Sequence, residues 1–98
     1  MDLKKVQQII NENKVHLNKY GIKSLAVFGS IARGQATSES DVDLLIEFLN
    51  EKTIDLFDFI ELNQFLEEKF KCKVDLVTKK ALKKQLSEQI LREAIRVA

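Results

Sequence analysis

The chain has 98 residues, of which 45% are hydrophobic and 32% charged, and its formal net charge is +1. That length suits one domain, residues 1–98, whose core buries about 60 to 70% of the unfolded surface. The charge balance excludes a dedicated duplex-DNA binder, which needs phosphate-neutralising side chains in excess, and no apolar stretch approaches the roughly 18 residues of a membrane span.

From Leu3 to Leu17 the apolar residues Leu3, Val6, Ile9, Ile10 and Leu17 recur at helical spacing, which predicts one helix with Gly21 as its C′ residue. The start, Met1 to Lys5, leads into that amphipathic pattern, so no signal peptide is expected. Leu25-Ala26-Val27-Phe28, bounded by glycine, predicts a buried strand. Ser30 to Gln35 has room for one or two helical turns, and Asp41 to Phe48 is the second strand. A helix starting at Thr53 or a neighbour carries Ile54, Phe57, Ile60, Phe65, Leu66 and Phe70. Lys73 to Thr78 is the third strand, with Val74, Leu76 and Thr78 on one face and Asp75 and Val77 on the other. Leu82, Leu86, Ile90, Ala94 and Val97 stripe a last helix. The order, αβαβαβα, predicts an α+β fold: a small mixed β-sheet with helices packed on it.

The charge is uneven along the chain. Residues 38–68 carry ten acids against Lys52, and residues 69–84 carry seven lysines against Asp75. Either these are solvated faces, or they form a polar field for an anionic substrate or a charged partner. Lys79 and Lys80 oppose the dipole if they lie in the first turn of the last helix; they either precede it or face an anionic ligand. The single cysteine, Cys72, forms no internal disulfide and implies a reduced, cytoplasmic setting. It reads as a strand-start residue; flanking lysines are able to lower a thiol pKa, but no base or partner motif supports a nucleophile. His16, the single histidine, lies far in sequence from the acids and reads as a surface or helix-end residue.

The chemistry-bearing residues are Gly29-Ser30 and three aspartates. Gly29 ends an apolar run, where backbone is able to approach a polyphosphate. Gly29-Ser-Ile-Ala-Arg-Gly34 matches six positions of a P-loop, but Gln35 and Ala36 stand where that motif needs Lys and Ser or Thr. Asp41-x-Asp43 fails as an EF-hand loop, since Leu45, Ile46 and Lys52 occupy its next ligand and glycine positions. In a strand Asp41 and Asp43 share a face, with Cα atoms about 6.6 Å apart. Two like charges so placed make sense around a divalent cation. Asp75 is a third acid inside the apolar strand Val74-Asp75-Leu76-Val77. Three carboxylates suffice to hold two Mg²⁺ ions when substrate phosphates complete the shells.

Taken together, Gly29-Ser30-x-Ala32-Arg33-Gly34, Ser40-Asp41-Val42-Asp43-Leu44-Leu45-Ile46 and Val74-Asp75-Leu76-Val77 resemble the nucleotidyltransferase superfamily, the fold of the DNA polymerase beta palm and of aminoglycoside nucleotidyltransferases. The likeness is to its minimal (MNT) branch, whose members serve as antitoxins in HEPN/MNT toxin–antitoxin modules. It spans nearly the whole chain, including Leu86 to Ala94, which looks like the family's terminal helix. The resemblance implies that Gly29 admits the triphosphate, that Ser30 contacts its terminal phosphates, and that Arg33 either neutralises phosphate charge or is a surface arginine. It implies Asp41, Asp43 and Asp75 as catalytic metal ligands, with Asp75 as the base toward the incoming hydroxyl. The implied activity is Mg²⁺-dependent transfer of AMP from ATP to a hydroxyl, a tyrosine of a cognate HEPN toxin. Two rivals remain: an antitoxin of the same fold that acts by contact alone, and a transferase acting on a small molecule or nucleic-acid end with the acceptor site on another subunit, in a homo- or hetero-oligomer.

Overall fold

A computed structural model describes residues 1–37, 41–50, 53–82 and 84–98, and for residues 84–87 the backbone alone. Ser40 of the motif, the charged Glu39, Glu51, Lys52 and Lys83, and the Leu86 side chain lie outside the described residues.

Asp2 caps the first helix, its carboxylate accepting from the Lys5 N–H at 2.8 Å. Helix α1 (Leu3–Glu12) buries Val6, Ile9 and Ile10. The single helix expected to Leu17 is broken at Asn13. That side-chain amide donates to the Ile9 carbonyl at 2.8 Å, which offers the backbone an alternative to the helical ladder. A short α2 (Lys14–Asn18) follows and ends on Lys19. Gly21 is left-handed at φ +67°, but it stands one residue further out than the C′ position expected for it.

The sheet has four strands in the order β3-β2-β1-β4: β1 (Ile22–Phe28), β2 (Val42–Phe48), β3 (Val74–Thr78) and β4 (Ile95–Arg96). Strand β2 runs parallel to β3 and antiparallel to β1, and β1 is antiparallel to β4. This is the mixed α+β sheet that the element order predicts. Three bounds differ. Strand β1 begins three residues earlier than Leu25; Asp41 and Lys73 each precede their strands. The stretch expected as a short helix, residues 30–35, is a hydrogen-bonded turn, with the Arg33 N–H donating to the Gly29 carbonyl at 3.1 Å and Gln35 N–H to the Ser30 carbonyl at 2.8 Å.

Helix α3 (Leu56–Phe70) starts later than Thr53 because Asp55 builds a capping box. The Asp58 N–H donates to Asp55 at 2.8 Å and the Asp55 N–H to Asp58 at 3.3 Å, so two orphan donors are satisfied reciprocally. The helix buries Leu62, Leu66 and Phe70 and ends on left-handed Lys71.

The largest difference is at the end of the chain. Lys79–Ala81 form a 3-10 turn ahead of α4 (Lys84–Glu93), so both lysines precede the helix. Leu82 also lies before α4, and Ala94 and Val97 lie beyond it. The backbone turns into β4, and the Val97 N–H donates to the Leu25 carbonyl at 2.8 Å. The Val97 carbonyl in turn accepts from Gln7 at 2.8 Å, which ties the strand to α1.

One sheet face carries Leu25, Val27, Val42, Leu44, Ile46, Val74 and Leu76, and packs on α1, α2 and α3 as the core. The other carries Ser24, Ala26, Phe28, Asp43, Leu45, Glu47, Asp75 and Val77 in cross-strand register. Helix α4 sits at the β1 side of that second face, where Leu91 and Ala94 line a cleft of about 290 Å³ with Ser24, Ala26, Leu45 and Glu47. Among the described residues no helix is long and apolar enough to cross a membrane.

The capping box is exposed and distant in sequence from the acids. Asp55→Ala is expected to lower stability by about 1 kcal/mol, read as an earlier urea midpoint with an unchanged m-value. A change above about 3 kcal/mol would show that Asp55 also supports tertiary contacts.

Candidate functional site

The sheet register brings the acids together. Asp43 is paired with Phe28 on one side and with Asp75 on the other. Neighbouring strands lie about 4.8 Å apart, so the two carboxylates stand side by side on the face away from the core. Asp41 precedes β2, so the strict strand alternation expected for Asp41 and Asp43 does not apply. Its charge still reaches the same place. The Asp43 carboxyl is raised above its ordinary value by burial first, then by Asp75 and Asp41, against a smaller lowering by Arg33. Asp41 and Asp75 are exposed, and Asp43 is half-buried.

Gly29 meets this group directly. Its φ is +75°, and a Cβ on it would meet the Asp43 carboxylate, with Cγ at 3.2 Å and Oδ2 closer still. Glycine is therefore required twice, for the left-handed backbone and for the missing side chain. Ile31, buried in the core at 3% exposure, anchors the turn that follows. Ser30 is half-buried at the start of that turn. The structure thus brings Gly29, Ser30, Asp43 and Asp75 together, with Asp41 and Arg33 near enough to act on Asp43 electrostatically.

The donor set is all oxygen, which suits a hard divalent cation. The upward push on Asp43 is what a cation would relieve. Among the described residues no three His, Cys, Asp or Glu side chains converge as a ready-made metal cage.

Arg33 is not a free surface arginine. Its Nη1 donates to both oxygens of Glu93, at 3.1 Å each, and its Nε to Gln35 at 3.0 Å. Glu93 also accepts from the Gly29 N–H at 3.4 Å. Sequence reasoning missed Glu93. No local signal marked it, since the sequence pattern runs the last helix on to Val97 and the partners of Glu93 lie 60 and 64 residues away.

The remaining singled-out groups lie elsewhere. His16 stacks on Phe65 at 4.0 Å between ring centroids. It lines a cleft of about 550 Å³ with Lys19, Tyr20, Asp58 and Glu61, which holds none of the three aspartates. Cys72 lies two residues ahead of β3, and its thiol is pushed up by burial first and then by Asp41. Lys79 lies 3.7 Å from Glu47 and Lys23 lies 3.6 Å from it, so part of the acid–lysine asymmetry is paired within the fold.

Residues 4–97 match the nucleotidyltransferase domain family. Protein adenylyltransferase MntA of Thermococcus cleftensis is 38% identical over 98 residues, covering 99% of this chain and 97% of that protein. A solved structure described as a minimal nucleotidyltransferase superposes with a TM-score of 0.81 at 38% identity, over 97% of this chain and 95% of that one. A solved complex of the tri-AMPylated Shewanella oneidensis HEPN toxin with MNT antitoxin matches with a TM-score of 0.64 at 25% identity, over 94% of this chain and 71% of that one.

Two outcomes test this geometry. Gly29→Ala places a methyl group against Asp43 on a left-handed backbone, and is expected to cost about 1–3 kcal/mol and to weaken Mg·ATP binding; an unchanged urea midpoint with unchanged affinity would show that the turn tolerates a side chain. Asp43 holds its proton more tightly folded than unfolded. Its ionisation therefore lowers stability as pH rises from the ordinary value of 3.8 through the raised one. In chelator-treated protein, Asp43→Asn is expected to resist urea better than the parent at pH 7, with the advantage closing as the pH falls toward 3.8. Identical midpoints at pH 7 would remove the case for repulsion.

Proposed function

The chain belongs to the nucleotidyltransferase family, and from that premise we propose that it is a protein adenylyltransferase whose acceptor is a tyrosine hydroxyl on a HEPN-type partner. The observation that carries the reading is the contact between Gly29 and Asp43, with Asp75 beside them. A backbone turn open to phosphate and an acid pair open to a cation meet at one point of the sheet.

In the proposed reaction the acceptor oxygen bonds to the α-phosphorus of ATP, the α–β bridging bond breaks, and pyrophosphate leaves with its electron pair. Asp75, exposed on the edge strand, takes the proton of the acceptor hydroxyl. Gly29, which itself carries no side chain, and Ser30 receive the β- and γ-phosphates at the turn, and Arg33 adds positive charge. Mg²⁺ held by Asp41, Asp43 and Asp75 would neutralise charge on the phosphates and lower the pKa of the acceptor. A reduced, cytoplasmic setting accords with the lone Cys72 thiol.

Contact with a partner protein is supported by the surface of α3, on the side of the sheet away from the acids. Leu56, Phe57 and Ile60 stand out from α3 at 69%, 80% and 44% exposure, which suits a protein contact rather than solvent. The MntA relative and the AMPylated toxin complex point to a protein acceptor.

Co-expression with the product of the adjacent gene, followed by intact mass measurement of that product, tests the proposal. A gain of about 329 Da per adenylyl group is expected, absent when Asp41→Asn or Asp43→Asn replaces the parent chain. A partner that is bound and silenced with no gain in mass would establish neutralisation by contact. ATP consumption with a small-molecule hydroxyl and no partner would move the acceptor off protein.

A further inference from the structure

One carboxylate spans the whole phosphate-facing turn. Glu93 accepts from the Gly29 N–H at one end of the turn and from Arg33 Nη1 at the other. Its side chain is 17% exposed, against 44% for Arg33. Gln35 holds the Nε side of the same guanidinium. Both contacts leave the guanidinium fixed in orientation over the turn.

The placement of Glu93 is not explained by its own helix. It is the last residue of α4, where the exposed carbonyls give the helix end a negative partial charge that repels an acid. Nor is it free to swing away. Two residues later Ile95 pairs with Val27 of β1, one residue before the strand ends in Phe28. The backbone that carries Glu93 is therefore registered on the strand that leads into Gly29. The Arg33 charge also reaches Asp43, so what holds Arg33 is linked to the acid cluster.

We propose that Glu93 is a positioning residue. Through the Arg33 guanidinium and the Gly29 amide it holds the 29–34 turn in the shape that receives nucleotide phosphates, which makes the terminal helix and strand part of the nucleotide site. This rests on the reading of Gly29 and Ser30 as the phosphate seat. A carboxylate beside an anion site could instead act as a competitor that ATP must displace, and the two roles predict opposite signs. Enclosure and a registered backbone favour the brace.

The test measures three quantities on Glu93→Ala and Glu93→Gln beside the parent chain: the Kd for a non-hydrolysable ATP analogue with Mg²⁺, KM and kcat for transfer, and Tm. Glu93→Ala is expected to weaken analogue binding about tenfold or more and to raise KM alike, while kcat changes less than about threefold. Glu93→Gln, which keeps an acceptor for Arg33, is expected to recover part of that loss. A lowered Tm with unchanged affinity would reduce Glu93 to a structural contact, and tighter binding in either variant would make it a competitor; both overturn the proposal. If Glu93→Ala does not fold, Glu93→Gln decides alone: a loss of about threefold or more supports the brace, and parent-like or tighter binding overturns it. A parent chain that binds no analogue defeats the phosphate-seat reading itself, which separates that failure from failure of the Glu93 role.

Discussion

The Asp43 carboxylate rests against the bare Cα of Gly29, and the site depends on that contact. It needs β1 and β2 antiparallel with Phe28 opposite Asp43, so that the residue after β1 arrives beside the carboxylate. It needs a left-handed residue there to turn the chain back. It needs that residue to lack a side chain. The register is enforced from the other face, since a slip by one residue would turn Val42, Leu44 and Ile46 outward and the aspartate inward.

The sheet divides its labour by face. Apolar residues of β1, β2 and β3 meet α1 and α3 on one side and supply the burial. The acids and the turn lie on the other, where Asp41 and Asp75 stay in contact with water. Water moderates repulsion that would be severe in the interior, so a cluster of like charges is compatible with a small core. The arrangement suits nucleotidyl transfer, in which the protein contributes positioning and electrostatics more than covalent chemistry.

Much of this was legible in the sequence because the chemistry restricts residue type. Asp41, Asp43 and Asp75 are acids in or beside apolar strands, and Gly29 ends an apolar run; such departures from pattern are visible without coordinates. The α+β order was legible because Val42 to Phe48 and Val74 to Thr78 are β-branched or apolar runs between amphipathic stretches. What escaped had no local signature. Strand β4 is two residues long, and Ala94 and Val97 continue the helical period of Ile90 by coincidence, so only its partner β1 distinguishes strand from helix. Asn13 breaks α1 through a side-chain bond to the Ile9 carbonyl, at a position where a polar residue also suits a helix surface. Glu93 was invisible because its partners lie 60 and 64 residues away.

Those separations bear on how the chain is made. Strand β1 obtains β2 early in synthesis, but its other neighbour lies at residues 95–96, and the Gln7 contact to Val97 spans 90 positions. Contacts this distant form late, because loop closure comes before the contact that rewards it. At about 5–20 residues per second, a ribosome spends about 1–4 seconds holding a chain with all three aspartates but no β4 and no Glu93 beside Arg33. A nascent chain that has not yet reached residues 93–96 therefore carries the acids without the Glu93 contacts that span the turn.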